Sequence, residues 1–191
     1  MMQALPPQRS WTREEYGRLT ELGFFTGERV ELIEGRIVTM APMTSPHATA
    51  IGLAADALTP AVGPGSSARV RMPLAAGDRS EPEPDLAIVA GLRRAYATAH
   101  PTTAALVVEV ADSSVEYDRD VKGSRYARAN VAGYWIVNRP ERQIEIYRRP
   151  APDPDACAAW RYAERRIARP GETVSPLAAL AVVVAVDDLL P

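Results

Sequence analysis

The sequence predicts an α/β fold: a mixed β-sheet flanked by helices and entered by an N-terminal β-hairpin. Three observations carry this. Helical and extended patterns alternate along the chain, the mark of helices layered on a sheet. Residues 104–110, AALVVEV, form an apolar run short enough for a buried strand. Two extended runs meet at Glu34-Gly35, a pair suited to a tight hairpin turn.

The elements follow in order. Residues 1–10 read as a flexible leader and 11–191 as one domain. Ser10 or Thr12 can cap a helix through WTREEYGRLTELG, with Glu14 and Glu15 in its first turn and Gly23 at its end. RVELIEGRIVTM gives the hairpin, and alternation sets Glu31 on the face opposite Val30 and Leu32. Ser45 as cap, Pro46 as first helical residue and then His47 start a helix to about Val62, with Ile51, Ala54, Ala55 and Leu58 on its apolar stripe. ARVRMPLA alternates as a half-buried strand, and PDLAIVA is a compact one opened by Asp85. Residues 91–103 read as irregular or weakly helical. The strand AALVVEV carries Glu109 near its end, and the helix after it sets Asp118, Lys122 and Tyr126 on one face. GYWIVN and RQIEIYR are strands joined by a turn at Arg139-Pro140-Glu141. PAPDPDA reads as a loop, AWRYAERRIA as a strand, and the ending as a short strand and a helical turn.

Composition excludes several classes. The 191 residues are 47% hydrophobic and 24% charged, ordinary for a globular protein, and the net charge of -2 exerts no general pull on nucleic acid or anionic lipid. A nucleic-acid partner would need a local basic patch. One cysteine, Cys157, rules out an internal disulfide framework and a Cys-rich zinc site. No apolar run reaches the ~18 residues that span a bilayer, and the first residues lack a signal peptide's apolar core. A cytoplasmic protein is the expectation.

Four side chains stand at places where chemistry is built. Glu109 is a carboxylate inside an apolar strand, costly unless paired or bound to a metal. Asp85 follows Pro84 at a strand start. Lys122 is the only lysine in a chain otherwise furnished with arginine. Glu31 sits in the hairpin. Were the strands of Asp85 and Glu109 neighbours, their carboxylates would repel unless one were protonated or a cation lay between them. Mg²⁺ suits such a pair, since it takes one or two carboxylates plus water and phosphate oxygens. Blander roles exist for each: Asp85 as a turn residue, Glu109 paired with Arg69 or Arg71, Lys122 as a solvated helix lysine, Glu31 as the polar face of a hairpin.

The segments ELIEGRIVTMAPMTSPH, EPDLAIV, ALVVEVADSSVEYDRDVKGSRYARANVAGYWIVN and IEIYR resemble the Uma-type putative restriction endonuclease family of the PD-(D/E)xK nuclease superfamily. The likeness covers residues 11–186, and the long third segment is its specific part. It implies a restriction-endonuclease-like core and a Mg²⁺- or Mn²⁺-dependent endonuclease acting on DNA, with a homodimer as the simplest way to cut both strands. It implies further that Asp85 and Glu109 bind the metal, with the backbone carbonyl of Val110, and that Lys122 is the catalytic lysine. Glu31 and His47 would assist, and Tyr126 and Asp118 would support Lys122 from one helical turn away on either side. The superfamily's usual lysine stands two residues after the acid, where this chain has Ala111, so the helix must bring Lys122 to the strand. A second function class stays open, a catalytically silent nuclease-fold module that binds nucleic acid or a protein. RNA or another phosphodiester is a third.

Overall fold

Strand Leu106–Ala111 lies near the middle of a six-stranded sheet, and both faces of that sheet are covered. The structure is a computed structural model and describes residues 8–191; of the expected leader, residues 1–7 lie outside the described residues and Gln8 to Ser10 are exposed coil. The sheet runs β3 (Ser66–Val70), β4 (Leu86–Ala90), β5 (Leu106–Ala111), β6 (Gly133–Asn138), β7 (Gln143–Pro152) and β8 (Trp160–Ala168) in that spatial order. Every neighbouring pair is antiparallel except β5 and β6. That parallel pair needs a crossover, supplied by α3, a helix over residues 115–128.

Alternation assigns the two faces. Leu86, Ile88, Leu106, Val108, Val110, Trp135, Val137 and Ile144 pack against α2 (Ser45–Leu58) and the C-terminal segment. Ala87, Val89, Val107, Ala111, Tyr134 and Ile136 face α3. Strands buried on both sides read as continuous apolar runs, which is why AALVVEV and GYWIVN stood out. Each fully buried Leu or Ile here contributes about 1.5–3 kcal/mol. Glu109 falls on the α3 face, between Val107 and Ala111.

The N-terminal part matches its pattern. Thr12 and Glu15 form a capping box at the start of α1 (Arg13–Glu21). Strands β1 (Val30–Ile33) and β2 (Arg36–Thr39) close through Glu34 and Gly35, both left-handed, as a two-residue hairpin turn requires. All four β1 residues are buried, because the face opposite Leu32 is covered rather than solvated.

Local differences have local causes. Thr44, not Ser45, is the N-cap of α2, since Pro46 fits either of the first two helical positions. That helix ends at Leu58, where Pro60 tightens the chain into a 3₁₀ turn, Thr59–Ala61. Strand β3 stops at Val70, because Arg71 is left-handed. The PAPDPDA stretch is strand through Pro152, where the β8 partners Trp160 and Arg161 continue the ladder. The C-terminal stretch makes a two-stranded pair, β9 (Thr173–Val174) with β10 (Val184–Ala185), instead of one strand.

Candidate active site

The site opens where β4 and β5 part. Their ladder ends at Leu86 opposite Val108, while β5 runs on to Ala111 beside β6 alone. The Val110 N–H has therefore lost its β4 partner, and Asp85 Oδ2 accepts it at 2.8 Å. A side chain replaces a ladder bond, and this holds Asp85 against the end of β5. A cleft of about 380 Å³ lies over this fork, lined by Glu31, His47, Asp85, Glu109, Val110, Asp118 and Lys122, with the Met40–Thr44 loop as one wall.

Helix α3 delivers the lysine. Its middle, Asp118–Lys122, is a π turn between α turns Val115–Tyr117 and Gly123–Arg128. Such bulges insert a residue and recur at functional sites. The Gly123 N–H reaches back to the Asp118 carbonyl, which also accepts the Tyr134 hydroxyl at 2.9 Å. Lys122 Nζ then donates to Glu109 Oε1 at 3.1 Å and lies 3.5 Å from Glu31 Oε1. Tyr126 donates to the same Glu109 oxygen at 2.6 Å from behind. Both bonds to Glu109 fall on Oε1, which leaves Oε2 for whatever enters the cleft. Glu31 is fixed in turn by the Glu83 N–H at 3.2 Å, and Asp118 by Ser114 at 2.6 Å.

His47 stands between two aspartates, with Nε2 3.6 Å from Asp85 and Nδ1 3.2 Å from Asp112. The contact with Asp85, the charge there and Asp112 raise its basicity above the ordinary histidine value. Arg139 pairs with the other oxygen of Asp112.

The electrostatics are one-sided. Six carboxylates, Glu31, Glu83, Asp85, Glu109, Asp112 and Asp118, line the cleft with Lys122, Arg71 and His47. Burial raises the Glu109 pKa to about 8; Lys122 opposes that, while Asp85, Asp118 and Glu31 reinforce it. Burial likewise raises Asp118. Burial also works against the Lys122 charge, but Glu109 and the other carboxylates outweigh it and hold the ammonium charged. The surplus of negative charge and the unengaged Glu109 oxygen fit a divalent cation. Among the described residues no three His, Cys, Asp or Glu side chains converge as a ready-made chelate. Two carboxylates, Asp85 and Glu109, thus line the cleft near the strand fork, and Mg²⁺ accepts one or two carboxylates with water completing its shell.

All of the residues picked out for chemistry therefore meet here, Tyr126 behind the wall and the others on it. The alternative partner for Glu109 does not hold: Arg69 reaches the Pro73 carbonyl, and Lys122 takes the carboxylate. Trp135 and Tyr134 are core. Arg148, Arg149, Arg165 and Arg166 bind Ser175, Glu164, Glu145 and Glu172, and none lines the cleft. Asp112 went unnoticed in the sequence, and Arg71 was considered only as a partner for Glu109, with which it makes no ion pair. Asp112 had a weak signal, a carboxylate just past the strand that carries Glu109; nothing marked Arg71 for the cleft.

Residues 13–187 match the family model Uma2, described as "Putative restriction endonuclease". The fold matches the crystal structure of a putative nuclease belonging to DUF820 from Anabaena variabilis ATCC 29413, with 16% identity and a TM-score of 0.69, over 93% of this chain and 96% of that one. At that identity the likeness concerns the fold. No curated protein matches the chain.

Proposed function

The chain belongs to the Uma2 family of putative restriction endonucleases, and from that membership and the cleft we propose a divalent-metal-dependent endonuclease that hydrolyses DNA phosphodiester bonds. The observation that carries the reading is the buried Lys122–Glu109 pair beside Asp85, at the fork of two strands.

Asp85, Glu109 and the Val110 carbonyl would hold Mg²⁺ or Mn²⁺. Such an ion, when bound, acidifies its water and neutralises charge on the phosphodiester. The remaining work belongs to the chain. The Val110 N–H and His47 fix the Asp85 carboxylate. Tyr126 fixes Glu109 Oε1 and so turns Oε2 to the cleft. Glu31 keeps the Lys122 ammonium charged and aimed, ready to orient the attacking water and to offset the charge that grows on the phosphoryl oxygens. Tyr134 and Glu145 hold the π turn from which Lys122 extends, Glu145 through Arg119. Cutting both strands of a duplex would be easiest with two copies related by a two-fold axis.

Plasmid cleavage with Mg²⁺ or Mn²⁺ tests this. Asp85→Asn and Lys122→Ala should each lower the rate by about 10²–10³-fold. Wild-type rates in both variants, or no cleavage of DNA by the wild type with either metal, would reject it. Among the described residues no helix is long and apolar enough to cross a membrane.

A further inference from the structure

One cation of the cleft is left over by the chemistry above. Lys122 is tied to Glu109 and Glu31, Arg139 to Asp112, and Arg29, nearby, to Glu83. Arg71 lines the same cleft and makes no ion pair with a described residue. Its Nη1 donates only to the Met43 thioether at 3.3 Å, a weak acceptor. A guanidinium left without a carboxylate in a cleft lined by six of them is not there to neutralise the protein.

The backbone points the same way. Arg71 takes φ 50°, a left-handed conformation uncommon for a residue with a long side chain. It ends β3, and its N–H is bonded to the Asp85 carbonyl at 3.2 Å. The chain thus departs from strand geometry at the residue that faces Asp85, and the side chain lies on the cleft rim. Met43, which lines the cleft beside it, is exposed, 40%. Such backbone outliers gather at functional sites, where the surrounding structure enforces them.

We propose that Arg71 is the substrate-binding residue of this cleft and that its guanidinium grips a backbone phosphate of a nucleic-acid strand, with Met43 against the adjoining nucleoside. This rests on the nuclease reading and adds the anchor that reading lacks. A strand is repelled by the carboxylates around the metal position, so its hold must come from a cation they have not consumed. The planar guanidinium fork matches two phosphate oxygens. The flexible Met43 thioether suits a sugar or base face of any sequence.

The experiment is anisotropy titration of a fluorescein-labelled 30-base-pair duplex, with Ca²⁺ in place of Mg²⁺, across a salt series. Arg71→Gln should weaken binding about tenfold and reduce the slope of log K against log salt by about 0.9. Arg71→Lys should keep the slope, since the charge remains, but bind several-fold less tightly, since an ammonium cannot span two phosphate oxygens. Arg71→Gly should lose binding as the glutamine variant does while its thermal midpoint stays level or rises, since glycine adopts φ 50° freely; that separates lost contact from lost folding. Wild-type affinity and slope in Arg71→Gln would overturn the inference and leave the nuclease reading standing. No binding by the wild type to duplex DNA, single-stranded DNA or RNA would overturn both.

Discussion

Two buried glutamates sit in one row of the sheet and meet opposite fates. Glu109 on β5 and Glu145 on β7 both oppose Ile136 on β6, so they share the α3 face, two strands apart. Both are buried, Glu145 completely. The same π turn serves both, Arg119 reaching Glu145 at 2.5 Å and Lys122 reaching Glu109 at 3.1 Å. Glu145 also receives Arg165, Asn138 and Tyr147. Burial opposes its charge, but these donors prevail and lower its pKa to about 2. Glu109 has two donors on one oxygen and further carboxylates around it, and its pKa goes up. A saturated buried carboxylate staples the structure together. An undersupplied one keeps capacity for a ligand, and the staple beside it holds the shape that keeps it undersupplied.

Substituting each glutamate tests that division. Glu145→Gln should be the most damaging single change, costing about 3 kcal/mol, because it removes the buried charged acceptor on which Arg119, Arg165, Asn138 and Tyr147 converge. By the usual scaling for a chain of this size, the thermal midpoint would fall on the order of 10 °C. An unchanged midpoint would mean that Glu145 is no staple. Glu109→Gln should cost much less. Without metal its midpoint at pH 8 should fall by less than that of Glu145→Gln, since a carboxylate crowded by others has gone and Glu31 still faces Lys122. Saturating Mg²⁺, at about 100 times its Kd, should stabilise the wild type by about 2.7 kcal/mol and the variant not at all. Equal Mg²⁺ shifts in both would place the metal elsewhere.

The division also explains how far the sequence could be read. Runs such as AALVVEV and GYWIVN announce central strands because burial on both faces leaves no polar period. Glu109 could be singled out because a charge breaks such a run, and Lys122 because it is alone of its kind. Glu145 interrupts IEIY in the same manner, yet nothing local distinguishes a carboxylate surrounded by donors from one kept short of them. Its partners Arg119, Asn138 and Arg165 come from three different elements, and only register brings them together. The π turn is equally silent, for its cause is the pull of Glu145 and Tyr134 on one helix rather than any propensity in DRDVK. Arg71 was hidden because its role comes from a backbone conformation and from the absence of a partner.

The two carboxylates give stability opposite dependences on pH. The folded pKa of Glu145 lies below its ordinary 4.5, so the stability it lends is complete above about pH 4.5 and drains away as pH falls toward 2. The folded pKa of Glu109 lies above 4.5, so the metal-free protein gives up stability as pH rises from about 4.5 through 8. Urea unfolding at pH 3, 6 and 8.5 separates them. The deficit of Glu145→Gln against wild type should be narrower at pH 3 than at pH 6. The wild type should weaken from pH 6 to 8.5 more than Glu109→Gln does, and Mg²⁺ should flatten that fall. Parallel pH profiles for the wild type and both variants would show that neither carboxylate titrates as its surroundings demand.

The smallest effect belongs to the hinge between the two regions. Gly123 ends the π turn, and a Cβ there would come 3.2 Å from the Asp118 carbonyl oxygen and 3.4 Å from the Tyr134 ring. Helix propensity favours alanine over glycine by about 1 kcal/mol. The crowded carbonyl cannot yield easily, since the Gly123 N–H and the Tyr134 hydroxyl both hold it. The two effects nearly cancel, and Gly123→Ala should change stability by less than about 1 kcal/mol. Function should be less forgiving, because a shift at Asp118 moves the start of the segment that aims Lys122, and misplacement of about 1 Å can cost on the order of 10²-fold in rate. Cleavage measured beside urea unfolding checks this. A variant as stable as wild type but much slower would show the π turn to be shaped for the lysine; full activity at full stability would show Lys122 reaching Glu109 without it.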